Sequence, residues 1–302
     1  MRGMNDHVKG LLITTLGVLF VVPDSLFVRL IDANAPTITF WRGIVSGSLI
    51  LLGLLVFQGV SGFKSVLKTG VPGLIYTVLI AATAPGFVLA VTWTSVANVV
   101  FIIASMPVFA AIFSRVFLGE AVSRRMVLTM MGVFMGLGII AWGSGETHGA
   151  HWSGDLVALG VSASFAAAMT AVRKVRATSM VPAIPLAYIG ASLVVWPLAD
   201  PLPAWEAQWN LILAHGAFIT VSTTLLTLGP RYISSAEVAL LILLESVLAP
   251  ILVWAIVGED PGPWALAGGV VVIGVLFVSN LWVLMHRRRM RNRPQPRTGP
   301  PV

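Results

Sequence analysis

The sequence predicts an all-α integral membrane protein: ten transmembrane helices in two inverted five-helix repeats, with both termini cytoplasmic. Composition is the first observation. With 57% hydrophobic and 10% charged residues and a mean hydropathy of +0.92, too little polar surface remains to cover a soluble globule of 302 residues. The second is a repeat. Ser95–Glu120 and Ser234–Glu259 align at an offset of 139, which matches Gly119-Glu120 to Gly258-Glu259 and Ser95, Ala97, Val99, Ile103, Val108, Ala110 and Ile112 to Ser234, Ala236, Val238, Ile242, Val247, Ala249 and Ile251. A weaker echo at offset 144 matches Val28-Arg29 to Val172-Arg173. The third observation is that charge alternates between the two sides of the chain.

A hydrocarbon core of about 30 Å needs roughly 20 apolar helical residues. Read on that length, with Pro, Gly and charge as punctuation, the first span is 10–31, passing through Pro23, Asp24 and Arg29. Arg2 and Lys9 before it and Ala33-Asn34-Ala35 after it mimic a signal peptide, but the run is too long for a signal core and reads as a retained helix. Arg29 is placed to snorkel to the outer headgroups. The second span, 36–58, carries Phe40-Trp41-Arg42-Gly43. Arg42 and Asp24 lie similarly far from the external surface, so they can pair, either as a structural ion pair or as a gate that breaks and reforms. Gly43 and Gly47 form a helix-contact face.

The third span, 70–92, holds Tyr76, Thr83, Pro85 and Phe87. Trp93 precedes the fourth, 94–117, which holds Asn98, Phe101 and Pro107. The fifth, 125–143, offers Gly132 and Gly136 as another contact face. An external linker, 144–153, contains Glu146, His148 and His151, too few ligands for a metal site. The sixth span, 154–175, repeats small residues at Ala158, Ser162, Ala166 and Thr170, and the seventh, 183–200, is a plain apolar run. Ser222, Thr223 and Thr224 lie in the eighth, 210–230. The ninth, 235–257, has Glu237 near its start, Glu245 near its middle and then Pro250. The tenth, 263–285, leads to a basic, Pro-rich tail, 286–302. After a cytoplasmic segment, 1–9, the repeats are therefore 10–143 and 154–285.

One side of these spans receives Arg2, Lys9, Lys64, Lys68, Arg124, Arg125, Arg173, Lys174, Arg176, Arg231 and the tail. The other receives Asp32, Glu146, Asp155, Asp200, Glu206, Glu259 and Asp260. The positive-inside rule makes the first side cytoplasmic, as for a multi-pass protein of a bacterial inner membrane. Five helices per copy, an odd number, invert the second copy. Such a chain has two near-equivalent conformations, open to either side. Six of the nineteen basic residues are arginines of the tail, which suits contact with anionic lipid rather than nucleic acid. Having no cysteine, the chain forms no disulfide or thiolate metal site.

An acidic residue at the bilayer centre costs about 2.5–3.5 kcal/mol, so Glu245 must face protein or water. Either it lines a central cavity, holding a substrate ammonium group or a proton, or it is a hydrogen-bonded carboxyl that locks two helices. Glu237 reads as a helix-start carboxylate or a cytoplasmic gate. Tyr76, Thr83, Phe87, Trp93, Asn98, Phe101, Ser222, Thr223 and Thr224 can form a mainly apolar pocket with a few hydroxyls, suited to an amphiphilic metabolite; each is also a plausible packing residue. Pro107 and Pro250, in matching helices, are candidates for breaks that line the cavity, or for packing kinks. No HExxH, GxSxG or Walker sequence is present, so no enzyme chemistry and no cofactor is expected.

The ends Val116-Phe117-Leu118-Gly119-Glu120 and Ala255-Ile256-Val257-Gly258-Glu259, together with Phe40-Trp41-Arg42-Gly43 and Pro107, resemble the drug/metabolite transporter superfamily, EamA type. The similarity covers about residues 8–285, and the nearest likeness is to bacterial aromatic amino-acid exporters. The resemblance implies a secondary exporter of small organic metabolites working by alternating access. Neutral or aromatic amino acids come first and hydrophobic cationic drugs second; the alternative class is a channel or a non-transport scaffold. Its partners would be the small-molecule substrate, membrane lipid and possible coupling protons.

Overall fold

The computed structural model describes residues 2–144, 151–173, 178–233 and 235–291, and all the regular structure among them is helical. Glu146, His148, Lys174, Arg176, Ser234 and the tail beyond Arg291 lie outside the described residues. The first predicted span is two helices, Arg2–Val21 (α1) and Asp24–Leu30 (α2). Pro23 stands between them, and with no N–H to donate and a ring that crowds the preceding turn it interrupts the helix there. Ala35–Gln58 (α3) starts at Asn34, whose side chain accepts from the Thr37 amide at 2.9 Å, with Pro36 in the first turn. After the short Ser61–Leu67 (α4) comes Val71–Trp93 (α5), which runs unbroken through Pro85.

The fourth predicted span breaks into Val96–Ile103 (α6) and Met106–Leu118 (α7). Ser95 caps α6, and Pro107 sits in the first turn of α7, where a missing amide hydrogen matters least. Arg124–Ser144 (α8), Trp152–Val172 (α9) and Ala183–Val195 (α10) follow, α10 ending in a 3-10 turn, Trp196–Leu198. Next come Pro201–Leu228 (α11), kinked at Gln208, then Ser235–Val257 (α12) and Gly262–Arg291 (α13). Pro250 corrects the expectation of matching broken helices: α12 continues through it, so of the two only Pro107 stands beside a break.

Both Gly-Glu ends have one physical origin. Gly119 (φ 68°) closes α7 and Gly258 (φ 76°) follows α12, each in a left-handed conformation that a side chain would strain. The chain therefore turns out of the helix and presents a glutamate immediately beyond it.

Among the described residues, nine helical stretches are long and apolar enough to cross a membrane. Ala183–Leu198, at the seventh predicted span, is apolar but only about 24 Å long. Large apolar side chains point outward, among them Phe57 (87% exposed) and Val194 (79%), as lipid-facing surfaces require.

The packing repeats the internal symmetry. α1 lies against α11 and α5 against α9, a pair of contacts that exchange when the two copies are exchanged. α3 meets α10, α8 meets α13 and α6 meets α12, each a helix against its own counterpart. The glycine faces serve these contacts. A Cβ on Gly43 would strike Ser192 and the Tyr188 carbonyl of α10, and one on Gly136 would strike Val272 of α13.

Candidate functional site

The break at Pro23 delivers Asp24 to the interior, where Arg42 and His215 meet it. Asp24 Oδ1 accepts from Arg42 Nε at 3.0 Å and from His215 Nε2 at 2.6 Å; Oδ2 accepts from Arg42 Nη2 at 2.6 Å. Asp24, Arg42 and His215 are 4%, 8% and 0% exposed. A two-pronged arginine–carboxylate contact of this kind is the geometry that offsets the loss of water around both charges. Because the carboxylate only accepts, His215 carries a proton on Nε2, while its buried Nδ1 has no partner among the described residues. Phe27 stacks on the imidazole at 5.3 Å, and the guanidinium lies 5.7 Å from the centre of the Phe87 ring.

Glu245 of α12 lies within electrostatic reach of both Asp24 and Arg42 yet forms no hydrogen bond or ion pair with any described residue. Tyr188 of α10 reaches toward Arg42 and Tyr76, and its hydroxyl is 3.5 Å from that of Thr223. Of the residues singled out in the sequence, Asp24, Arg42 and Phe87 therefore meet at one point, with Glu245 within electrostatic reach of it and Tyr76 and Thr223 beside Tyr188.

The others lie elsewhere. Thr83 donates to the Ile80 carbonyl of its own helix, and Thr224 to that of Thr220. Ser222 ties α11 to the Gly17 carbonyl of α1. Trp93 is 44% exposed at the end of α5, and Phe101 packs against Gly269 of α13. Phe101 and Pro250 also line a groove of about 300 Å³ with Val247, Ile251 and Trp254, several of them exposed on the outer face of α12. Glu237 contacts His7 at 2.7 Å. Asn98 belongs to a separate buried network: with Thr94 it donates to Asp155 Oδ1 (3.1 and 2.8 Å), while the Ser144 hydroxyl donates to Asp155 Oδ2. Asp155, read in sequence as an external loop charge, is 7% exposed in the first turn of α9.

Arg29 is also corrected. It does not snorkel outward. Its Nε lies 2.7 Å from Glu259 Oε2 and its Nη2 donates to the Thr94 carbonyl at 2.9 Å, while Glu259 Oε1 accepts from the Val96 amide at 2.6 Å. On the opposite face, Arg173 Nη1 lies 3.1 Å from Glu120 Oε2 and donates to Ser114 at 2.9 Å. Arg29 and Arg173 are counterparts in the repeat, as are Glu259 and Glu120, so one cross-repeat ion pair occurs twice, once at each face.

Sequence reasoning missed His215 and Tyr188. A histidine inside an apolar span is itself a signal of buried function. Its weight was lost because α11 starts nine residues earlier than the predicted span, which moves His215 from a helix end to the middle.

The model of the EamA-like transporter family matches twice, over residues 8–142 and 152–281. The pseudopaline exporter CntI of Pseudomonas aeruginosa, from strains UCBPP-PA14 and PAO1, is 27% identical over 277 residues, covering 88% of this chain and 93% of the relative. One solved crystal structure of a protein superposes with a TM-score of 0.63 at 17% identity, covering 93% of this chain and 99% of the other, a likeness of fold.

Proposed function

The chain belongs to the EamA-like transporter family, and from that premise we propose that it exports neutral or aromatic amino acids across the bacterial inner membrane by alternating access. The observation that carries this reading is the interior cluster of Asp24, Arg42, His215 and Glu245 beside Phe87 and Tyr188. It supplies a few fixed charges within an otherwise apolar and aromatic wall, which suits a medium-sized apolar side chain bearing small charged groups. Counting Ala183–Leu198 as a crossing gives ten spans, with Lys64 and Arg125 cytoplasmic and Glu206 and Asp260 external.

Arg42 is the one buried lysine or arginine among the described residues, and its pairing with Asp24 leaves a single N–H edge rather than a cluster of cations. A sugar diphosphate, which needs clustered cations to offset its desolvation, is therefore excluded as cargo. The test is counterflow in proteoliposomes with phenylalanine, tryptophan, leucine, a cationic dye, pseudopaline and a nucleotide-sugar. Exchange of the amino acids is expected. Exchange of the nucleotide-sugar, with no response to any amino acid, would overturn the reading. Pseudopaline belongs in the panel because the relatives that match most of this chain export it.

A further inference from the structure

Two groups in the interior cluster have unused bonding capacity of opposite kinds. Arg42 directs Nε and Nη2 at Asp24, and among the described residues nothing accepts from Nη1, although the residue is 8% exposed. Glu245 is the reverse, a carboxyl with no donor. On α12 it shares a partly exposed stripe with Leu241, Leu248 and Leu252. That stripe differs from the outward face of Leu244, Val247, Ile251 and Trp254 and from the packed face of Ser246, Ala249 and Val253. α3 packs on α5, α10 and α11, and α12 on α1, α2, α6 and α13, so α2, which carries Asp24, links the two groups: Arg42 holds its carboxylate and α12 packs against it.

We infer that Arg42 and Glu245 form the two poles of a zwitterion clamp: the free Nη1 edge of Arg42 receives the substrate carboxylate, and Glu245 receives its ammonium group. This deepens the export reading and rests on it. Asp24 fixes the guanidinium from behind, so the edge presented to the cargo is held by two hydrogen bonds before the cargo arrives. The unpaired N–H groups of Nη1 gain acceptors, and the carboxyl of Glu245 gains a donor, only when one molecule carries both charges. Phe87, already against the guanidinium face, supplies an aromatic surface beside the carboxylate pole.

The test uses the full chain in proteoliposomes loaded with labelled phenylalanine. Competing external ligands are phenylalanine, phenylalanine amide (no carboxylate) and N-acetylphenylalanine (no ammonium). Removing either charge is expected to weaken competition by at least about tenfold, the equivalent of one lost charged contact. Glu245→Gln, which breaks no contact within the protein, should accept N-acetylphenylalanine nearly as well as phenylalanine while still rejecting the amide. Equal competition by all three ligands, with counterflow intact, would overturn the clamp and leave the export reading standing. Absence of counterflow with phenylalanine, tryptophan and leucine alike would overturn both.

Discussion

Asp24 is the residue on which the interior depends, since it accepts from both Arg42 and His215 while only 4% exposed. Asp24→Asn would leave the guanidinium charged, buried and uncompensated, a loss of about 3–5 kcal/mol. The expected result is a large fall in thermal unfolding temperature in detergent, and an unchanged melt would contradict the assigned contacts. Asp155→Asn is expected to be milder, about 1–3 kcal/mol, because it removes a shared acceptor from Thr94, Asn98 and Ser144 without stranding a charge. Its preference for phenylalanine over phenylalanine amide should stay intact; a lost preference would return Asn98 to the substrate site. The Asp24–Arg42 contact was legible in the sequence because each charge alone is too expensive in an apolar span and consecutive spans bring the two to similar depth. His215 was not, since Trp205, Glu206 and Trp209 read as a surface connection rather than as the first turns of a long kinked helix.

At the scale of elements, small residues set how close helices come, and the breaks set where polar groups point. Gly43→Val is expected to push α10 away from α3, because its side chain would meet the Tyr188 carbonyl and Ser192. The cost is about 1–3 kcal/mol of overpacking, read as a lower unfolding temperature, with Gly53→Val as a control that meets open space. The order of the spans was legible because the bilayer sets a minimum length for an apolar crossing; their lengths were less so, since α11 starts nine residues before its predicted span and Ala183–Leu198 falls short of one. The proline breaks were not legible one by one. Pro23 and Pro107 stand at interruptions while Pro85 and Pro250 are absorbed into continuous helices, and which occurs depends on whether neighbouring helices let the freed carbonyls find partners. The Arg29–Glu259 contact was equally hidden, for nothing local links residues 230 positions apart.

For the whole molecule, the alternating access proposed above would use the duplicated ion pair as a distinct fastening for each conformation. The Arg29–Glu259 pair is the more buried, with side chains 23% and 21% exposed, and two backbone groups of the α5–α6 corner bind the same residues. The Arg173–Glu120 pair is 43% and 48% exposed. Glu259→Gln is expected to favour opening outward and Glu120→Gln opening inward. Loss of about 1 kcal/mol shifts such an equilibrium about fivefold. Because the chain has no cysteine, Leu241→Cys gives a single label site whose reactivity from each face reports the shift. Movement of both variants in the same direction would break the symmetry argument. A further consequence concerns the medium in which the cell lives. In the orientation proposed above, the Arg173–Glu120 pair would meet an ionic strength the cell regulates, and the Arg29–Glu259 pair whatever salt surrounds it. Charge interactions reach about 30 Å at 0.01 M salt but about 8 Å at 0.15 M, and a partly buried contact pair is screened less than an exposed one. Two fastenings of common ancestry thus become unequal sensors: the more exposed Arg173–Glu120 pair should loosen first as ionic strength rises on its own side.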